Sequence, residues 1–454
     1  MKLCDYILYQ LLRFVKNFIE LMPFFVDKYI GELLGRTVYH LAYKRKKITV
    51  ENIKKAFPDK NPYWYRNTAR KVFENFGRNL MEFIKFSSGR YFYRVEINGF
   101  ENVENGVLLM TGHLGNWEIT GMSIAYKGKK LYPIGRRIHN KAFDRIVNEM
   151  RIAFGGYHIP NTKAGFRDVL RKIKSKQNIC VLIDQRIKNG LPVKFFNRPV
   201  WATHIISVLH RRTGVKVIPG YSCHQGKNIK VVYEKPIEMV NKEDSLKSDF
   251  INTQTQMQWI EEKIRQNPDE WFWMHNFWKD RWPAVFLDRD GTIIQDKGYI
   301  YSKEDLSLIP GAVETLRLLK KSGYLLVVIT NQSGISRGYF NLDDYKKFNN
   351  YFLETLRKEG VIIDRVYHCP HHPDDNCPNR KPNSGMILKA EKELNIDLKK
   401  SFIVGDKTSD IETGKRLGIK NILVLTGHGK DNKDKIEPDY TVENISKIGD
   451  IIKI

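Results

Sequence analysis

The sequence predicts two α/β domains in one chain, the second a doubly wound parallel sheet, and three observations predict it. Short apolar runs alternate with helical patterns along most of the 454 residues. Several of those runs end abruptly in polar, chemistry-bearing residues, as strands do at the ligand-binding edge of an open α/β sheet. Finally, the charge divides unevenly: Lys and Arg exceed Asp and Glu by 23 over residues 1–282, but by only 2 over residues 283–454. The join expected near Trp282–Pro283 is short, with no low-complexity linker.

The elements follow in order. Residues 1–43 are rich in Leu, Phe, Tyr and Ile but broken by Asp5, Arg13, Lys16, Glu20, Asp27 and Lys28. No uncharged run reaches the ~18 residues of a membrane-spanning helix. Ile7, Leu11, Phe14, Phe18 and Leu21 recur at alternating four- and three-residue steps, which predicts an amphipathic helix. Its apolar face either lies in a membrane interface or packs on the domain's own core. Helices are expected through Lys85. Strands are then expected at Tyr91–Ile97, Gly106–Met110, Leu131–Ile134, Ile179–Ile183, Val193–Phe196, Val215–Gly220 and Lys230–Tyr233, with a helix at Leu246–Gln266. The second domain has strand candidates at Ala284–Leu287, Tyr324–Ile329, Arg365–His368, Phe402–Val404 and Ile422–Leu425. The aromatic stretch Trp271–Trp282 reads as either an interfacial belt or core.

At 42% hydrophobic residues the chain is neither disordered nor a multi-span membrane protein. Five scattered cysteines argue against a disulfide framework and for a reducing compartment. The basic first domain suits anionic partners: phospholipid headgroups or an acidic carrier protein. Nucleic acid is set aside, because the basic residues form no recognised binding motif.

In the second domain, Ala284-Val-Phe-Leu-Asp288-Arg-Asp290 closes an apolar strand with two carboxylates two positions apart. One carboxylate can attack phosphorus when a metal neutralises the charge, and the other can protonate the leaving oxygen and then activate water. Val-Val-Ile-Thr330-Asn331 offers a hydroxyl and backbone amides at a second strand end. Arg380-Lys381-Pro382 supplies cations, and Gly405-Asp406-Lys407-Thr-Ser-Asp410 ends a third strand with carboxylates suited to Mg²⁺. This ordered set resembles the haloacid dehalogenase superfamily of phosphatases over residues 283–430. The resemblance implies a Rossmann-like fold without a large cap, Asp288 as nucleophile and Asp290 as acid/base. It implies that Thr330, Asn331 and Lys381 hold the phosphoryl group. Mg²⁺ would sit on Asp288, the Asp290 carbonyl and Asp406, with Asp410 orienting its neighbours.

Within the superfamily, Asn331-Gln-Ser-Gly-Ile-Ser-Arg-Gly338, Cys369-Pro-His371-His372-Pro and Arg380-Lys-Pro are similar to the heptose 1,7-bisphosphate 7-phosphatases. The histidinol-phosphate phosphatases share most of these stretches. Arg380 would read a second phosphate on a sugar bisphosphate. Cys369, His371 and Cys377 match three positions of a Zn²⁺ loop whose fourth position here is Asn379, so either His368 or His372 substitutes or the site is lost.

In the first domain, Leu-Leu-Met-Thr-Gly-His113-Leu-Gly-Asn-Trp-Glu118 follows an apolar strand. A carboxylate can orient an imidazole that takes a proton from an attacking hydroxyl. With Gly135-Arg136-Arg137, Asp184-Gln185-Arg186 and Asn267-Pro-Asp-Glu-Trp271, residues 5–281 resemble the lipid A late acyltransferases. The resemblance implies His113 as general base, Glu118 as its partner, and Arg137, Asp184 and Arg186 along the substrate. It implies an acyl carrier protein or acyl-coenzyme A donor and a lipid A-type glycolipid acceptor. The expected location is the cytoplasmic face of the inner membrane, with the phosphatase in the cytoplasm.

The expectation is therefore a bifunctional lipopolysaccharide enzyme, with residues 1–282 for acyl transfer and residues 283–454 for phosphate removal. The alternative couples a histidinol-phosphate or other small phosphomonoester phosphatase to a different acyltransferase or to a non-catalytic membrane-binding domain.

Overall fold

Apolar runs become buried strands, and amphipathic stretches become covering helices, in the computed structural model, which describes residues 3–153, 155–187, 190–226, 228–241 and 243–452. The chain divides into two compact units: Met1–Ile187 with Ala202–Asn241 and Thr255–Phe277, and Lys188–Trp201 with Lys242–Gln254 and Trp278–Ile454. The sequence suggested one cut at 282/283, whereas the second unit also takes two excursions from the earlier chain. Interactions inside that unit show why. Trp201 stacks on Trp282 with ring centroids 4.9 Å apart, and ion pairs join Asp244 to Arg317 and Lys247 to Glu359.

The first unit begins with helices Leu3–Leu21, Phe24–Leu41, Tyr43–Ala56 and Pro62–Phe86. Asn61 caps the last of these, accepting from the Trp64 amide, and Pro62 sits at its first position, where a missing N–H costs nothing. Glycines let this helix touch Phe24–Leu41 backbone to backbone: a Cβ at Gly35 would lie 2.0 Å from the Phe73 carbonyl oxygen, and one at Gly77 would lie 2.1 Å from that of Gly31.

A seven-stranded sheet follows, in spatial order Val95–Asn98, Asn228–Tyr233, Val217–Gln225, Leu108–Thr111, Asn178–Leu182, Leu131–Gly135, Ile159–Pro160. All neighbours are parallel except the pair Val217–Gln225 and Asn228–Tyr233. Six of the seven strands expected in the first domain enter this sheet within a few residues. The seventh, Val193–Phe196, corresponds to Leu191–Phe195, which forms a separate two-stranded sheet with Arg198–Ala202, and neither Arg198–Ala202 nor the two-residue strand Ile159–Pro160 carried a legible pattern.

The amphipathic N-terminal helix forms as expected, and its apolar stripe faces solvent. Ile7, Leu11, Phe14, Phe18 and Leu21 are all more than half exposed, while Tyr9 and Ile19 on another face are buried. The next helix also exposes Tyr29, Leu33 and Leu41. No helix among the described residues is long and apolar enough to cross a membrane. The tryptophans of the Trp271–Trp282 stretch, by contrast, are buried, which makes them core.

The second unit holds a six-stranded, wholly parallel sheet in the order Arg365–Cys369, Leu325–Asn331, Ala284–Leu287, Phe402–Gly405, Lys420–Val424, Tyr440–Val442. Numbered by sequence within this sheet, that is the Rossmann order 3-2-1-4-5-6. Side-chain alternation shows why both faces are covered. Val285 and Leu287 enter one core with Leu326 and Val328, while Ala284 and Phe286 enter another with Leu325 and Val327. Each large apolar side chain so buried stabilises by roughly 1.5–3 kcal/mol. The chain reverses direction across the sheet between Ala284–Leu287 and Phe402–Gly405, so the crevice opens where those two strands end.

Candidate active sites

Asp288 and Asp406 are the first residues beyond those two strand ends, and both are buried. Carboxylate oxygens of Asp288, Asp406 and Asp410 lie within 4.8 Å of one another. Lys381 threads between them. Its Nζ donates to Asp288 Oδ1 and to the Ile329 carbonyl, both at 2.8 Å, and lies 2.6 Å from Asp410 Oδ1. Burial alone would lower the Lys381 pKa; Asp288 and Asp410 raise it instead, so the ammonium stays charged. Burial, then the charge of Asp288, pushes Asp406 up to about 8. Three buried carboxylates crowded this closely repel one another, and a cation among them would relieve the repulsion.

The surroundings of Asp406 fit such a cation. Its Oδ2 accepts from the His428 amide at 2.8 Å, while its Oδ1 is buried with no hydrogen-bond partner. Glycines make the cradle: a Cβ at Gly291 or Gly427 would fall 2.4 or 2.3 Å from Asp406 Oδ2. Both residues have positive φ, 85° and 53°, the region that favours glycine.

The remaining expected residues surround this centre. Asp290 is gripped by Arg289, at 2.9 and 3.0 Å, and accepts from Gln332 Nε2 at 2.8 Å. That same amide nitrogen donates to Thr330 Oγ1 at 2.8 Å. The Asn331 side chain was expected to hold phosphate, but it bonds the Lys381 backbone at both ends: Nδ2 donates to the carbonyl at 3.0 Å, and Oδ1 accepts from the amide at 3.1 Å. It acts on the centre by positioning Lys381. Asp410 orients Lys381, as expected, and also caps the Lys407 amide at 3.0 Å. Lys407, Arg289 and Gln332 were not singled out in the sequence. The pattern did show Lys407 beside Asp406; against burial, Asp288 and Asp406 hold its ammonium protonated.

Cys369, His371 and Cys377 also come together, with ligand atoms within 4.8 Å of one another. Arg380 braces this loop by donating to the His371 carbonyl at 3.0 Å. The two histidines considered as substitutes go elsewhere. His368 packs on Tyr345 with centroids 4.3 Å apart, and His372 pairs with Asp374 at 3.1 Å. Burial pushes the Cys369 thiol up to about 11, so its deprotonation requires a compensating cation such as a bound metal.

In the first unit the expected His113 and Glu118 pair does not form. Glu118 instead makes a two-pronged ion pair with Arg151. His113 Nδ1 lies 2.8 Å from Asp184 Oδ1, and the His113 amide donates to Asp184 Oδ2 at 2.6 Å. The reason is local. Asn116 caps the helix Trp117–Tyr126, and the turn into the helix carries Glu118 away from the imidazole. Strand register does the rest: Thr111 pairs with Leu182 in neighbouring parallel strands, so two residues further on His113 meets Asp184. The Trp271 indole also donates to Asp184 Oδ2 at 2.6 Å. Against burial, His113 and Trp271 hold the Asp184 carboxyl below the usual carboxylate range. Asp184 was expected along the substrate; it is instead the carboxylate that holds the His113 imidazole.

A pocket of about 320 Å³ opens beside His113, with Trp117, Gln185, Arg136, Arg151 and His158 in its wall. Gln185 Nε2 lies 3.2 Å from His113 Nε2. Neither Arg137 nor Arg186 lines this pocket: Arg137 is exposed beyond the strand, where Arg136 takes its place, and Arg186 is half-buried after Asp184.

Residues 2–280 match the family described as bacterial lipid A biosynthesis acyltransferase, and residues 378–448 match the HAD-hydrolase-like family. The chain is also similar to curated phosphatases. It is 44% identical over 177 residues to the D-glycero-beta-D-manno-heptose-1,7-bisphosphate 7-phosphatase of Pasteurella multocida, covering 37% of this chain and 96% of that protein. The Helicobacter pylori enzyme of the same name is 48% identical over 144 residues, 32% of this chain and 83% of that one. The D-glycero-alpha-D-manno-heptose-1,7-bisphosphate 7-phosphatase of Campylobacter jejuni is 41% identical over 157 residues, 35% and 87% respectively.

Proposed function

The chain belongs to the bacterial lipid A biosynthesis acyltransferase family through residues 2–280 and to the heptose-bisphosphate phosphatase family through its C-terminal portion, and we propose that it is one bifunctional enzyme of lipopolysaccharide biosynthesis. The phosphatase reaction is removal of the 7-phosphate of D-glycero-D-manno-heptose 1,7-bisphosphate. The observation that carries it is the Asp288, Lys381, Asp406 and Asp410 cluster at the sheet's switch point.

In this reading an Asp288 carboxylate oxygen attacks phosphorus. The new O–P bond forms as the bond to the sugar oxygen breaks, and Asp290 gives that oxygen its proton. Asp290 then takes a proton from water, whose oxygen releases phosphate from Asp288. Lys381 and the Thr330 hydroxyl steady the phosphoryl oxygens. Mg²⁺ held by Asp288, the Asp290 carbonyl and Asp406 would neutralise charge between nucleophile and phosphate. Arg380 reads the second phosphate. Cys369, His371 and Cys377 would supply three ligands to a Zn²⁺, with the fourth position filled by neither His368 nor His372.

The acyltransferase reaction uses His113, oriented by Asp184. His113 takes the proton of an acceptor hydroxyl, the oxygen attacks the donor thioester, and the proton leaves on the departing thiol. The donor is an acyl carrier protein or acyl-coenzyme A, and the acceptor is a lipid A-type glycolipid. The exposed stripe Ile7, Leu11, Phe14 and Phe18, on a strongly basic domain, supports docking on the cytoplasmic face of the inner membrane. The two activities belong to residues 1–282 and 283–454.

Phosphate release by the full chain tests the first reaction. With Mg²⁺, both anomers of the heptose bisphosphate are offered beside histidinol phosphate. Release from a heptose bisphosphate, lost by at least about 10³-fold in Asp288→Asn, supports the reading. Preference for histidinol phosphate breaks it. Replacing Leu11, Phe14 and Phe18 by Ser should release the protein from phosphatidylglycerol vesicles in a flotation assay; unchanged flotation would sink the docking surface.

A further inference from the structure

We propose that the cleft between the helices Leu3–Leu21 and Lys141–Ala153 binds the phosphate head of an anionic phospholipid, with Arg13 as its principal ligand. This rests on the membrane-docking reading and adds a lipid-selective contact to the apolar one.

The cleft encloses about 460 Å³, and its wall carries three cations, Arg13, Lys16 and Arg145, against one acid, Glu149. That acid is already engaged. The Tyr9 hydroxyl lies 2.9 Å from both of its carboxylate oxygens, and Arg145 pairs with it at 2.9 Å. Lys16 is paired with Glu20 at 2.7 Å. Arg13 differs from both cations: it is exposed, and among the described residues no ion pair or hydrogen bond holds it. Its guanidinium reaches the cleft's floor. Burial and Glu149 raise the Tyr9 pKa, and the charges of Arg145 and Arg13 oppose that rise. Asn17, one turn further along the helix, offers a side-chain amide that is likewise unengaged. The cleft is preformed, because Tyr9, Ala142 and Ile146 pack as a buried core that fixes one helix on the other.

Helix geometry selects the occupant. At about 100° per residue, Arg13 and Asn17 fall roughly a quarter to a third of a turn from the centre of the exposed stripe Ile7, Leu11, Phe14, Phe18 and Leu21. A helix lying in the interface with that stripe toward the acyl chains holds its flanks at the depth of the headgroups. The ligand within reach there is a lipid phosphate, and the planar, forked guanidinium matches two of its oxygens. A zwitterionic lipid also carries a phosphate, but its own cation opposes the cleft's surplus positive charge. An acidic protein would meet the same charge while gaining nothing from the stripe beside it.

The experiment is flotation of the full chain on two kinds of vesicle, phosphatidylcholine alone and equal parts phosphatidylcholine and phosphatidylglycerol. The wild type should bind the mixed vesicles at least about fivefold more tightly. Arg13→Gln should remove most of that preference and change binding to phosphatidylcholine by less than about twofold. Arg13→Lys, which keeps the charge and loses the fork, should restore only part of it. Lys174→Gln, the same loss of charge at the exposed end of another helix, should leave the preference nearly intact. Melting temperatures should not move, since both side chains are exposed. No preference for phosphatidylglycerol, an unaltered preference in Arg13→Gln, or equal damage from Lys174→Gln would each overturn the proposal while leaving the apolar docking surface standing. So would glycerol 3-phosphate that abolishes the preference at constant ionic strength, which would make this a site for free phosphate. Binding of acyl carrier protein that Arg13→Gln weakens as strongly would reassign the cleft to a protein and also overturn it. Wild-type protein that floats with neither vesicle would sink the docking reading together with this one.

Discussion

The Asp288 and His113 sites are built by the same device, polar residues at the carboxyl ends of parallel strands, but they differ in how far along the chain their partners lie. Around Asp288, each expected motif delivers its residue to the centre: Asp288, Thr330, Lys381, Asp406 and Asp410 all arrive. Around His113, the nearby candidate Glu118 is diverted to Arg151, and the orienting carboxylate comes from Asp184, 71 positions away. A strand end projects its next residue directly into the crevice, so a motif that is itself a strand end can be read along the sequence. A pair that spans a helix cap cannot, because the cap redirects the chain between its two members.

The sharpest way to break this comparison is to exchange the two carboxylates' roles. Asp184→Asn should cost about 10³–10⁴-fold in acyl transfer, since an orienting carboxylate fixes the tautomer and stabilises the imidazolium. Glu118→Gln should cost much less in turnover but should lower the melting temperature, because it leaves Arg151 partly buried and unneutralised. If Glu118→Gln proves the more damaging to turnover with folding intact, the register argument is wrong.

The comparison sharpens further at Asn331. If its amide serves by holding the Lys381 backbone, Asn331→Ala should lower phosphate release about 10- to 100-fold, mostly in kcat. An effect confined to KM would return Asn331 to direct phosphate binding.

A smaller effect concerns the first unit's buried charge. His224 lies between Glu82 at 3.0 Å and Glu270 at 2.9 Å, and the two carboxylates, overcoming burial, raise its pKa to about 9. This interaction stabilises the fold fully below pH 6.5, the ordinary imidazole value, and the stabilisation is lost as pH rises through about 9. Calorimetry should show the melting transition of this unit falling by several degrees between those pH values, on the order of a few kcal/mol in stability. The His224→Gln variant should lack the slope, and an equal slope in the variant would remove His224 as its cause.

Much of both folds was legible because it depends on local pattern. The strand Ala284–Leu287 was readable to the residue, being a short apolar run bounded by Pro283 and Asp288. The strands Arg198–Ala202, Ile159–Pro160 and Tyr440–Val442 were not, since they are short or edge elements without strong periodicity. Arg289 and Gln332 escaped notice because each acts through Asp290 rather than through a motif of its own. The Trp271–Trp282 stretch was ambiguous in sequence, because an interfacial belt and a core have the same composition.

By itself the sequence determined the two α/β domains, the carboxylate strand ends of the phosphatase, the basic character of the first half and the place of His113 just past a strand end. These follow from residue type and short-range period, which the chain carries locally. The tertiary structure alone decided that Asp184 orients His113, that Asn331 serves Lys381, that the N-terminal apolar stripe faces outward, and that parts of the earlier chain pack with the second unit. Each of these depends on strand register, helix orientation or long-range packing, which are set by the whole fold's balance of burial and hydrogen bonding rather than by any one segment.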